Sequence, residues 1–86
     1  MYGLMIRKEV EKIFFKIAKK NPKNLEFIRK KIEEIRNSPQ HYKNLKSPMQ
    51  HLKRVQIGPY VLTFSVDENT KIVTIEDFDH HDKIYQ

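Results

Sequence analysis

Near its end the sequence runs Asp79-His80-His81-Asp82-Lys83-Ile84-Tyr85, two imidazoles and a phenol among carboxylates. Imidazole titrates near neutrality and can take or give a proton at working pH. Upstream, Arg54 and Gln56 stand two apart in a stretch between Ile35 and Val66 that contains no acid, while Arg36, Lys43, Lys46, Lys53 and Arg54 are all positive. Cleavage of RNA by its own 2′-hydroxyl needs a group to accept that proton, one to protonate the leaving oxygen, and positive charge at the phosphate. His81, Tyr85 and Arg54 can fill those three roles. The plainer alternative is that the tail is a solvated end whose Ile84 and Tyr85 pack on the core, and that Arg54 is an exposed strand residue. A metal reading from His41, His51, His80, His81 and Asp82 fits no common zinc spacing, so neither metal nor cofactor is expected.

Composition narrows the classes. Eighty-six residues make one domain, 1–86, with a modest core. The absence of cysteine excludes disulfides and thiolate metal sites. No apolar stretch approaches a membrane span and no signal peptide follows Met1, so a cytoplasmic protein without a membrane partner is expected. Seventeen Lys and Arg against eleven Asp and Glu leave a net charge of +6. The charge is uneven: residues 1–66 hold fifteen basic and five acidic side chains, whereas residues 67–86 hold two and six. The long basic part attracts polyanions, of which nucleic acid is the most abundant in a cytoplasm, although a lysine-rich solvated surface has the same composition.

The elements that must position these groups follow from periodicity. Tyr2 to Ile6 reads as a short strand. Val10, Ile13, Phe14 and Ile17 recur at i, i+3, i+4 and i+7, which predicts a helix from about Lys8 to Lys19. Asn21-Pro22 stops it and starts a second helix, with Asn21 as N-cap and Pro22 in the first turn. Leu25, Ile28, Ile32 and Ile35 form its stripe, and Asn37-Ser38-Pro39 ends it. The short connection makes the two helices an antiparallel hairpin. From residue 51 the period becomes two. Residues 51–57 place His51, Lys53, Val55 and Ile57 on one face and Leu52, Arg54 and Gln56 on the other. Gly58-Pro59 is a turn; Tyr60, Leu62, Phe64 and Val66 form an apolar face opposite Val61, Thr63 and Ser65. Asp67-Glu68-Asn69-Thr70 is a second turn, and Lys71 to Phe78 a further strand. The expected fold is α+β, in the order β-α-α-β-β-β, with the hairpin covering one side of a mainly antiparallel sheet. The uncovered face, carrying Arg54, Gln56, Thr63 and Ser65 beside the loop residues Lys43 and Lys46, is expected to be polar, basic and free.

These pieces resemble the RelE toxins of the RelE/ParE superfamily, and the archaeal branch in particular. The resemblance covers nearly the whole chain and rests on four segments in order: the helix hairpin with Ser38-Pro39, the stretch Lys43-Asn44-Leu45-Lys46, the hairpin Arg54-Val55-Gln56-Ile57-Gly58-Pro59-Tyr60, and the tail Phe78 to Tyr85. It implies a RelE-like fold and the toxin of a type II toxin–antitoxin system. It further implies a ribosome-dependent messenger RNA endoribonuclease that inhibits translation, with no small-molecule substrate. A RelB-type antitoxin wraps and neutralises it. By position Arg54 matches the first basic residue of the family hairpin, Lys46 its loop cation, His80 the tail histidine and Tyr85 the tail tyrosine. Gln56, Val61 and His81 stand where the family usually has cations, which implies weak catalysis, with RNA held by Lys43, Lys46, Lys53, Arg54, Gln56 and His80.

An antitoxin also has physical support, since Phe15 and Phe27 lie beyond the two apolar stripes and exceed what so small a core hides. The first strand and the sheet edge could instead absorb them. Three rival functions remain open. A ParE-like relative would bind DNA gyrase without cutting RNA, against which the His-His-Asp-Lys-Ile-Tyr tail speaks. A weakly active or inactive RelE homologue is the second. A plain RNA-binding module is the third, and it lacks aromatic pairs on the open face, because Tyr60 and Phe64 turn to the core.

Overall fold

The computed structural model of the chain describes residues 1–80. In chain order the elements are β1 (Gly3–Ile6), α1 (Lys8–Lys20), α2 (Pro22–Asn37), a short 3-10 turn (Pro39–His41), β2 (Lys53–Ile57), β3 (Tyr60–Asp67) and β4 (Ile72–His80). The expected α+β order is present, with element ends shifted by one or two residues. Helix α1 opens with Glu9 and Glu11 and closes with Lys19 and Lys20, matching its dipole at both ends. Asn21 caps α2 as its sequence predicts, its Oδ1 accepting from the Asn24 N–H at 3.3 Å, with Pro22 in the first turn. Three residues of the α2 stripe, Ile28, Ile32 and Ile35, are fully buried.

The sheet order is β1-β4-β3-β2. Strands β2, β3 and β4 form the expected antiparallel meander. One feature was not foreseen: β1 adds to β4 in parallel, from Gly3 opposite Ile72 to Ile6 opposite Ile75, so the sheet is mixed and β4 is an interior strand. A tight turn announces the partner of a hairpin strand, but nothing local announces the partner of β1, which is reached only after the helices have crossed over. The first turn of the meander uses Gly58 at φ 58°. In the second, the Asp67 carboxylate accepts from the N–H groups of Asn69 and Thr70.

The core lies between the helices and one face of the sheet. It comprises Val10, Ile28, Ile32 and Ile35 against Ile57, Leu62, Phe64, Val73, Ile75 and Phe78. Phe78 meets Phe14 edge-on at 5.1 Å and stacks on Tyr60 at 4.9 Å. The inward residues of β4 step by two from Val73 to Ile75 and then by three to Phe78. The extra residue is a β-bulge: Phe64 pairs with Ile75 and Thr63 with Asp77, leaving Glu76 between.

Candidate functional site

The face of the sheet away from the helices is built from alternate residues of four strands. Arg54 of β2 lies opposite Thr63 of β3, which lies opposite Asp77 of β4; Gln56, Val61 and Asp79 form the next row. Arg54 is half-buried and its Nε is fully enclosed, which holds the guanidinium against the sheet. Gln56 is exposed and its Nε2 donates to the Gly58 carbonyl at 3.2 Å, closing the hairpin turn. The loop before β2 is fixed by backbone hydrogen bonds from Leu45 to Leu52, Met49 to Lys46 and Leu52 to Met49. Lys43 and Lys46 project from that loop, both exposed.

The expectation of a basic, free face needs correction in two respects. Val61 and Thr63 are 1 % and 5 % exposed, so the middle of the face is closed and not an open trough. Glu76, Asp77 and Asp79 also bring three carboxylates onto it from β4. Reading the face from β2 and β3 alone missed them. The step of three between Ile75 and Phe78 was the available signal, since it turns both Glu76 and Asp77 outward.

Glu76 sits in a small polar network. Its carboxylate accepts from Ser65 Oγ at 2.5 Å and from Arg7 Nε at 2.8 Å. Burial by itself raises this carboxyl's pKa, but the hydrogen bonds from Ser65 and Arg7, with the charges of Arg7 and His51, more than offset it. The net result lies below the usual 4.5.

The other residues singled out by sequence are dispersed. Lys53 points to the helix side, where its ammonium donates to the Tyr42 carbonyl at 2.7 Å and to Asn44 Oδ1 at 2.9 Å. It therefore ties down the loop that carries Lys43 and Lys46 and does not join Arg54. His80 is exposed on the helix side of the sheet's end, its ring edge-on to Tyr60 at 5.9 Å. His81 and Tyr85 lie outside the described residues. Among the described residues no group of acids and histidines is arranged to hold a metal ion, and no helix is long and apolar enough to cross a membrane.

A second surface lies on the other side of the molecule. A groove of about 640 Å³ opens between α1, α2 and β1, floored by Leu4, Ile6, Phe14, Ala18, Ile28 and Ile32. Phe15 stands at its edge, 69 % exposed. Phe27 is 60 % exposed on α2 outside this groove, beside Gly58, Pro59 and Tyr60 of the β2–β3 turn. Neither the first strand nor the sheet edge absorbs these rings.

Two helices over one face of a four-stranded mixed sheet, with Arg54 on the face left uncovered, define a small α+β class, and comparisons with known proteins place the chain within it. Residues 5–85 match the family model described as the ParE toxin of type II toxin–antitoxin systems. An uncharacterized protein of Methanosarcina mazei is 58 % identical over 99 % of this chain and 100 % of its own. A Methanocaldococcus jannaschii protein named "Putative toxin RelE4" is 49 % identical over 100 % of this chain and 93 % of its own. The fold resembles a chain in the toxin–antitoxin complex RelBE2 of Mycobacterium tuberculosis, with TM-score 0.78 and 18 % identity over 93 % of this chain and 98 % of the other. A conserved hypothetical protein of Helicobacter pylori aligns with TM-score 0.63 and 17 % identity over 98 % and 99 %. The chain belongs to the ParE/RelE family of type II toxin–antitoxin toxins.

Proposed function

We propose that this toxin is a ribosome-dependent endoribonuclease that cuts messenger RNA and so inhibits translation. The observation that carries the reading is Arg54, half-buried on the sheet face away from the helices with its Nε enclosed, on the strand that follows the loop bearing the exposed Lys43 and Lys46. An ordered guanidinium recognises a phosphate by paired hydrogen bonds. In the reaction, the 2′-hydroxyl oxygen bonds to the adjacent phosphorus and the bond to the 5′-oxygen breaks, giving a 2′,3′-cyclic phosphate and a free 5′-hydroxyl. Arg54 stabilises charge on the phosphate, His81 accepts the 2′-hydroxyl proton, and Tyr85 protonates the leaving oxygen. Lys43, Lys46, Gln56 and His80 serve substrate binding, and Lys53 does so through the loop it anchors. With so few acid–base groups, the chain relies on the ribosome to hold the message in an in-line geometry. Purified chain added to programmed ribosomes, with cuts mapped by primer extension, tests this; intact message would refute it.

The neutralising partner in this reading is a RelB-type antitoxin that covers the groove between α1, α2 and β1 with an apolar segment. Phe15 at the groove's edge supports this, since a ring so exposed beside an apolar groove on a small protein marks a surface that another chain covers. The matched family model is described as a ParE toxin, and a ParE-like function, binding of DNA gyrase without RNA cleavage, is the second reading. Loss of supercoiling activity in purified gyrase, with ribosomal message left whole, would select it.

A further inference from the structure

We infer that Arg7 is a second anchor for the RNA backbone, a phosphate-binding guanidinium held in place by Glu76 on the opposite edge of the bare face from Arg54. This rests on the RNA-cleaving reading above. Arg7 is the residue between β1 and α1, and its backbone is fixed by donation from its N–H to the Ile75 carbonyl at 3.2 Å. Its side chain is fixed too, because Nε donates to Glu76 Oε1 at 2.8 Å while Ser65 occupies Oε2. A guanidinium bound through Nε has one edge committed and directs its remaining N–H groups outward. The side chain is 60 % exposed, so those donors face solvent, where a phosphate can take them in pairs. The Glu76 side chain is only 22 % exposed, so it acts as a partly buried brace. The bulge that carries Glu76 supplies the reach, by turning an extra β4 side chain onto this face.

The spacing suits a strand lying across the sheet. Arg54 on β2 and Arg7 at the end of β1 stand at the two edges of four strands, about 14 Å apart at the usual inter-strand spacing. A single strand laid across the sheet therefore places different phosphates at the two edges. The carboxylates between them restrict the register. Asp77 is exposed in the same row as Arg54 and repels a phosphate placed at the centre of the face. It accepts a hydrogen bond from a ribose hydroxyl readily, which favours RNA with its phosphates at the edges and its sugars over β4. An ion pair that merely fastened α1 to β4 would give Arg7 the same partner, so the test must read RNA and not only stability.

Binding of a fluorescein-labelled single-stranded RNA 12-mer is measured by anisotropy for the whole chain over a series of salt concentrations. Melting is followed on the same samples. Arg7→Ala and Arg54→Ala are each expected to weaken binding about three- to tenfold at low salt. Each should also lower the slope of log affinity against log salt by about 0.7, one phosphate's worth on a single strand. Lys19→Ala removes the same charge from the outer end of α1 and should leave both nearly unchanged. Loss with Arg54→Ala while Arg7→Ala behaves like Lys19→Ala would overturn the second anchor and leave the RNA reading intact. No loss in any variant would overturn the RNA reading itself. If Arg7→Ala does not fold, Arg7→Lys replaces it: one charge without the paired edge should keep the salt slope but recover only part of the affinity. Full recovery by lysine would overturn the braced-guanidinium role.

Discussion

Asp79 stands directly across the β3–β4 pair from Val61, so a carboxylate faces the position where RelE-like hairpins usually carry an arginine. Val61 is 1 % exposed, and the site therefore has packed hydrocarbon at this point instead of a mobile cation. Val61→Ala should cost about 1–3 kcal/mol by lost burial, or roughly 4–8 °C of melting temperature per kcal/mol in a domain of this size. Val61→Arg should destabilise by a similar amount because the longer chain must displace its neighbours to reach Asp79. Thermal melts of the two variants check both.

Arg54→Ala should reduce ribosomal cleavage by at least tenfold, and Lys19→Ala by less than twofold. Arg54 is enclosed on the bare face, whereas Lys19 lies in the exposed last turn of α1. Equal losses would mean that only the overall positive charge matters. The same preparations should leave naked RNA whole; rapid cutting of it would remove the ribosome from the mechanism.

His81 and Tyr85 are expected to serve chemistry and not folding. If His81 is the base, cleavage should rise with pH across about 6–7, where imidazole loses its proton. If it only replaces a family arginine as a cation, cleavage should fall across that window. His81→Arg should remove the pH dependence in both cases and restore activity only in the second. Deletion of residues 80–86 should abolish cleavage with a melting temperature within a few degrees of the parent. A large drop in stability with activity falling in proportion would give the tail a structural role.

Glu76 should link stability to acid. Its folded pKa is below the ordinary 4.5, so its contribution is fully present above that value and is lost as pH falls through the lower folded pKa. The parent should therefore lose melting temperature more steeply below about pH 4.5 than Glu76→Gln does, and the two curves should converge in strong acid. Parallel curves would show that the Ser65 and Arg7 bonds do not discriminate between the charged and neutral carboxyl.

Phe15→Ser and Phe27→Ser should leave melting and cleavage nearly as they are, because both rings are already mostly in water. Phe15→Ser should weaken antitoxin binding at least tenfold if the helix groove is the docking surface, and Phe27→Ser, outside that groove, should weaken it less. Calorimetric titration with the antitoxin measures this, and unchanged affinity with Phe15→Ser would move the docking surface elsewhere.

The parts of this molecule that were legible in its sequence are those with local signatures. Asn21-Pro22 ended one helix and began the next, and Gly58-Pro59 placed the hairpin that orients Arg54. Alternation from Val55 to Val66 assigned the two sheet faces correctly. What was hidden depended on distant pairing. The partner of β1 lies at the other end of the chain, and the Arg7–Glu76 contact exists only because that pairing forms. The carboxylates of β4 escaped notice because a bulge breaks the period of two on which face assignment relies. Lys53 shows the limit of composition: it counts among the basic residues, yet its charge is spent on the Tyr42 carbonyl and Asn44.

Among the described residues β1 pairs with β4 alone, so β1 waits for β4, made after it, before the sheet can close. A copy whose synthesis breaks off before Ile72 has no seat for β1 and leaves an edge of β3 bare. It also lacks Ile75 and Phe78, two of the central core residues. Such fragments are prey for proteases and have no assembled sheet face on which Arg54, Asp77 and Arg7 are held together. The uncovered face is thus assembled in one step, when β4 takes its place between β1 and β3.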